Sequence, residues 1–152
     1  MRAALTDRQA LIATLYGEAR GESAVSQAAV ACVIANRVQA DLHGDGKPDW
    51  WGEGWKDVCL KRWQFSCWWE DSLNTVATYE FAESLVAHRQ WDFDGLFAIA
   101  DLAMSEALKD TTHGATHYVT TALLAKAPPD WARGLTPSAV IGSHAFFAGV
   151  ER

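Results

Sequence analysis

The sequence predicts a mainly helical α+β domain with a small β element. Three observations carry this expectation. Four stretches repeat apolar residues at helical spacing, and two of them follow a good capping residue. The last third turns to short β-rich runs broken by glycine and proline. Of 152 residues, 49% are hydrophobic and 21% charged, which suits one buried core and is unlike a disordered polymer. Residues 1–152 are therefore expected to form a single domain.

Thr6-Asp7-Arg8-Gln9 reads as a capping box that opens a first helix running to about Arg20. Leu11, Ile12, Leu15, Tyr16 and Ala19 make its apolar arc. Ser23 caps a second helix over about 24–39, apolar almost all round and so expected at the buried centre. Its polar positions Gln27, Asn36 and Arg37 then need partners. Residues 41–56 read as a long Gly-, Asp- and Trp-rich loop. Residues 63–68 alternate enough to suggest a short extended piece. A third helix is expected over 75–89, with Val76, Tyr79, Ala82, Leu85 and Val86 inward. A fourth is expected over 96–108, with Ile99, Leu102, Ala103 and Ala107 inward and Asp92 and Asp94 near its positive end. Residues 114–118 and 139–147 read as strands. Between them, Ala127-Pro128-Pro129-Asp130-Trp131 forms a turn or wall that cannot join a central sheet.

Glu18 is the residue most suggestive of chemistry. It falls at the edge of the first helix's apolar arc, beside Leu11 and Leu15, where a carboxylate is half withdrawn from water. Burial raises such a pKa, and a carboxyl group that keeps its proton near neutrality can act as a general acid. Gly17 and Gly21 flank it, and glycine costs helix stability, so close approach to the backbone is expected here. Glu22, four residues on, would share the Glu18 face if the helix continued. It could equally tie the helix end to Arg20, Arg37 or a backbone amide. Eight tryptophans, most of them between Trp50 and Trp69, exceed what a core of this size needs. Indole faces stack on sugar rings, so a carbohydrate groove is a second reading of that run.

Other chemistries find little support. The formal net charge is −6 with no basic stripe, so nucleic acid is not expected as a partner. No run reaches the ~18 apolar residues of a membrane span, and no signal-peptide pattern opens the chain. The three cysteines contain no Cys-x-x-Cys pair; Cys32 reads as a core residue, and Cys59 with Cys67 could be joined or free. Asp41, Asp45 and Asp49 do not make a calcium loop, because His43 holds the third position and Gly52 the twelfth. His113 and His117 have a zinc-like spacing, but Thr112 and Gly114 disfavour a helix there. No Gly-x-Ser-x-Gly elbow is present. No metal and no cofactor is expected.

Five runs, taken in order, resemble one family: Gly17-Glu18-Ala19-Arg20-Gly21-Glu22, Val33 to Val38, Gln64-Phe65-Ser66-Cys67-Trp68, Ala115-Thr116-His117-Tyr118 and Ile141 to Phe147. Together they are similar to the SleB-like cell-wall hydrolases, which include spore-cortex-lytic enzymes and many phage endolysins. The resemblance spans about 6–147. It implies a lysozyme-like, lytic-transglycosylase-type fold acting on peptidoglycan glycan strands, with Glu18 as catalytic acid and base. It implies that Gln64 and Ser66 line the cleft and that His117 and Tyr118 approach the muramyl residue from the opposite wall. Glu22 and Trp131 join them as candidate substrate-binding residues. A transglycosylase needs one Glu; a hydrolytic muramidase using Glu22 or an Asp, a non-catalytic glycan-binding or virion module, and a zinc amidase are the alternatives. The expected setting is a monomeric phage-type endolysin, made in the host cytoplasm without a signal peptide and reaching periplasmic peptidoglycan through a holin.

Overall fold

The computed structural model describes residues 2–42, 51–70, 72, 74–89 and 91–150. Six α-helices and three strands occur among them: α1 (Asp7–Ala19), α2 (Ala24–Leu42), α3 (Gly54–Leu60), α4 (Thr75–Val86), α5 (Leu96–Met104), β1 (His117–Thr120), α6 (Thr121–Lys126), β2 (Ala139–Ile141) and β3 (His144–Phe147). Much of the Gly- and Trp-rich loop, including His43, Asp45, Asp49 and Trp50, lies outside the described residues.

The capping box forms as the sequence predicts. Thr6 Oγ1 accepts from the Gln9 amide at 3.1 Å, and Gln9 Oε1 accepts from the Thr6 amide at 2.9 Å. From there α1 enters the interior, and Ala10 to Leu15 are all buried. It packs against α2, α3, α4 and α5. The second helix, expected at the buried centre, is buried from Ala29 to Ile34; it leaves Val25 exposed and turns one side to the sheet. Gln27, Asn36 and Arg37 each make hydrogen bonds, although Gln27 Oε1 is buried without one. Gln27 Nε2 donates to Ala19 O, and Asn36 Nδ2 donates to Asp110 Oδ2 at 3.1 Å and Ala115 O at 2.8 Å.

Two inner faces differ from expectation. On α4 the buried positions are Thr75, Thr78, Phe81, Ala82 and Leu85, while Val76 is exposed. On α5 they are Leu96, Ile99, Ala100 and Ala103; Leu102 is exposed, and the helix ends before Ala107. Ala82 and Leu85 of α4 and Ile99 and Ala103 of α5 are buried as expected, and Tyr79 and Val86 are partly buried against the core. The 63–68 segment is not a strand. Trp63 adopts a left-handed φ of 67°, and Ser66–Trp68 form a 3-10 turn.

The sheet is antiparallel with order β1-β3-β2. His117 pairs with Phe147 and Tyr118 with Phe146, while Ile141 pairs with His144. Strand alternation separates two apolar layers. Phe146 packs with Ala29 and Val33 of α2, whereas Ala145 and Phe147 pack with Val119 and Ala132. After Pro128-Pro129 the chain makes a 3-10 turn over Asp130–Ala132, and Trp131 packs against that second layer.

Candidate active site

Glu18 lies in the last turn of α1, where the helix meets both the 64–68 segment and β1. The link to the 64–68 segment depends on Gly17. A Cβ at Gly17 would stand 2.4 Å from Cys67 Cβ and 2.6 Å from Thr78 Oγ1, so only glycine lets Cys67 pack on the helix backbone. Asn74 Nδ2 also donates to Gly17 O. That approach brings the Cys67 and Ser66 amides to the Glu18 carboxyl group. The second glycine serves differently. Gly21 has nothing near its absent Cβ; it takes φ +81° to leave the helix and donates its amide to Asp94 Oδ2 at 3.0 Å.

Burial pushes the Glu18 carboxyl up to about 7; the Cys67 and Ser66 amides and the Arg37 guanidinium favour its anion and keep it from rising further. Arg37 reaches the site from α2. It donates Nε–H to Thr116 O at 2.7 Å and an Nη1–H to Gln64 Oε1 at 3.2 Å, and lies over the rings of Phe65 and Trp51. Burial lowers its pKa to about 10, so it stays a cation at neutral pH. Tyr118 faces Glu18, Cys67 and Arg37; burial first, then the Glu18 charge, raises its hydroxyl well above the ordinary range, so it stays protonated.

The residues named from sequence divide accordingly. Gln64, Ser66 and Tyr118 meet at Glu18 or its cation. His117 does not share that wall with Tyr118, because neighbours on a strand point to opposite faces. His117 instead sits between Trp51, with ring centroids 6.3 Å apart, and Trp131, at 4.9 Å. Its Nδ1 shares a hydrogen bond with Thr116 Oγ1. Burial, then Arg37, lowers its pKa to about 4, so it is a neutral imidazole near pH 7. Trp131 also meets Phe147 edge to face. The helix does not continue to Glu22: α1 stops at Ala19 and the chain turns away, so a Glu18–Glu22 helical pair does not form. Among the described residues, Glu22 makes no ion pair with Arg20 or Arg37; its charge bears on His144 instead.

Arg37 and the Cys67 amide are site components that sequence reasoning did not place. The signal for Arg37 was present as a cation inside an apolar helix. The Cys67 amide had none, since a backbone donor leaves no mark on residue type. All three cysteines are free and buried. No group of three or more His, Cys, Asp or Glu that could hold a metal occurs among the described residues.

A buried acid, two backbone amides and a cation thus meet at the end of α1, with the His117–Trp131 ring contact on the neighbouring strand face. The chain matches the model of the Cell Wall Hydrolase family over residues 21–147, and it belongs to that family. It is thus a cell-wall hydrolase of the SleB type, with peptidoglycan as the substrate class. Glu18 stands just ahead of the matched residues. No curated protein and no solved structure matches the chain. No helix among the described residues is long and apolar enough to cross a membrane.

Proposed function

We propose that the protein cleaves the β-1,4 bond between N-acetylmuramic acid and N-acetylglucosamine as a lytic transglycosylase, with Glu18 as its one catalytic acid and base. The observation that carries this reading is a carboxyl group poised near neutrality whose main neighbours are donors and a cation. One such residue is enough for a transglycosylase, because the sugar's own 6-hydroxyl can replace the second carboxylate or water.

Glu18 gives its proton to the glycosidic oxygen as the C1–O bond breaks, leaving oxocarbenium character at C1. The Ser66 and Cys67 amides and Arg37 stabilise the carboxylate so formed. The muramyl 6-hydroxyl oxygen then attacks C1, and its proton passes to Glu18. Acid and base are restored in one residue, and the product carries a 1,6-anhydro end. Gln64, Ser66, His117 and Trp131 line the path of the strand in this reading; neutral His117 is suited to hydrogen bonding and not to charge. The motif resemblance to phage endolysins supports a role in bacterial lysis.

Glu18→Gln should fold normally and lose at least 10³-fold of its activity on sacculi. Mass spectrometry of wild-type products should show muropeptides one water lighter than the hydrolytic ones. A full complement of reducing ends would instead assign a muramidase, and unchanged turnover by the variant would remove Glu18 from the chemistry.

A further inference from the structure

A cavity of ≈ 360 Å³ opens where the 61–63 turn meets the Ser66–Trp68 turn and α4. Glu18 is not among its lining residues. Trp63, Trp69 and Tyr79 supply its aromatic surface. Trp63 is 60% exposed and Trp69 39%, and their rings meet edge to face at 5.7 Å, forming an open indole corner. Trp63 holds this exposed position from a left-handed backbone at φ 67°, a conformation a bulky residue adopts only when its surroundings impose it.

The charge at this corner opposes that of the molecule. Arg2, Lys61 and Arg62 line the cavity against one acid, Glu70, although the chain as a whole carries −6. Arg62 lies over the Trp63 ring at 4.9 Å. Arg2 is fixed by donation of an Nη2–H to Leu60 O at 2.7 Å, and its guanidinium lies over Trp68 at 5.6 Å. An exposed indole corner ringed by cations suits a ligand with an apolar ring face and a carboxylate. Neutral sugars would leave the cations unused, and a simple anion would leave the indoles unused.

We propose that this corner is a second peptidoglycan site, which binds a carboxylate-bearing muramyl peptide unit other than the one cleaved at Glu18. The sugar face packs on Trp63 and Trp69, and the peptide carboxylate takes donors from Arg62 and Arg2. The site rests on the cell-wall reading of the protein, since it takes its ligand class from that substrate. It is fixed to the same chain turn that presents amides to Glu18, so the mesh is held beside the cleavage point.

The test is titration of the intact protein with N-acetylmuramyl dipeptide, followed by tryptophan fluorescence. Binding should weaken at least fivefold in Trp63→Ala and, separately, in Arg62→Glu; both side chains are exposed and can change without disturbing the core. On sacculi these variants should raise KM and leave kcat near wild type. Glu18→Gln should keep dipeptide binding. Equal affinity in wild type and both variants overturns the second site, as does equal binding of a neutral N-acetylglucosamine oligomer. Neither of those results touches Glu18, whose assignment stands or falls on turnover by its own variant.

Discussion

A carboxyl group held at about 7 by burial opposes the fold once it ionises. The sign follows from the two states. In the unfolded chain Glu18 titrates near 4.5, so only the native state still holds the proton between there and about 7. Its favourable contribution is complete below the unfolded value and is lost as pH rises through 7. The difference is worth up to about 3 kcal/mol. Glu18→Gln should therefore be more stable than wild type at pH 8 by a sizeable part of that amount, with the gap closing towards pH 4; denaturant melts at the two pH values measure it. The same group gives wild-type activity a limb that falls above about pH 7, because the acid must arrive protonated. A rate that instead climbed steadily to pH 9 would contradict the role. Much of this was legible in the sequence, since Glu18 stands at the edge of an apolar arc. The amides and the guanidinium that set its value were not, because they reach it from distant parts of the chain.

At the scale of elements, the meeting of α1 with the Ser66–Trp68 turn is the most sensitive joint. Alanine usually improves a helix over glycine by about 1 kcal/mol. Gly17→Ala should do the opposite here. The added carbon meets Cys67 Cβ at 2.4 Å, and overpacking of this kind costs roughly 1–3 kcal/mol. Activity should fall with stability, because the turn that yields carries the Ser66 and Cys67 amides. A Gly17→Ala protein as stable and active as wild type would mean that the turn moves freely. The helices of 12 residues or more were legible because several turns repeat one pattern, and caps at Thr6 and Ser23 mark the first two. The short ones, α3 and α6, were not: 7 and 6 residues give too few repeats to separate a helix from a loop. The 63–68 segment read as a short extended piece for the same reason, as its alternation spans too little chain; Phe65 is extended, but Ser66–Trp68 form a 3-10 turn.

Over the whole molecule, function depends on how the sheet is pinned to the helices. Asp110 organises that junction. Its Oδ1 accepts from the Thr112 amide at 2.8 Å and hydroxyl at 2.6 Å, and its Oδ2 accepts from the Gly114 amide at 2.9 Å and from Asn36 Nδ2. Burial pushes this carboxyl up, but the donors outweigh it and hold it below the usual range. Its contribution is thus present at neutral pH and lost as pH falls through that lowered value. Asp110→Asn should cost about 1–3 kcal/mol. Amide exchange should quicken in β1 and β3 while α1 keeps its protection, and kcat should drop as Tyr118 and His117 lose their positions. Uniform loss of protection across the chain would show that sheet and helices open together. From sequence the β-rich runs 114–118 and 139–147 were visible, but the first strand is His117–Thr120 and the second run is two strands, Ala139–Ile141 and His144–Phe147, reversed at Gly142-Ser143. Which wall each side chain would face was not visible either. That depends on register, and register places Tyr118 towards Glu18 and His117 towards Trp131.

The three sealed sulfhydryls give the molecule a built-in clock. Burial holds Cys32 at about 11, Cys59 at about 12 and Cys67 higher than its ordinary value, so none offers a thiolate to an alkylating reagent near neutrality. Cys67 lies at the Gly17 joint, Cys59 beside Thr14 in the helical core and Cys32 against Lys109 near the sheet junction. Pulsed iodoacetamide labelling should leave the native protein unmodified, then mark each position at the moment its own neighbourhood opens. Three labels of one mass, read apart by peptide mapping, would time the unlatching of three different seams.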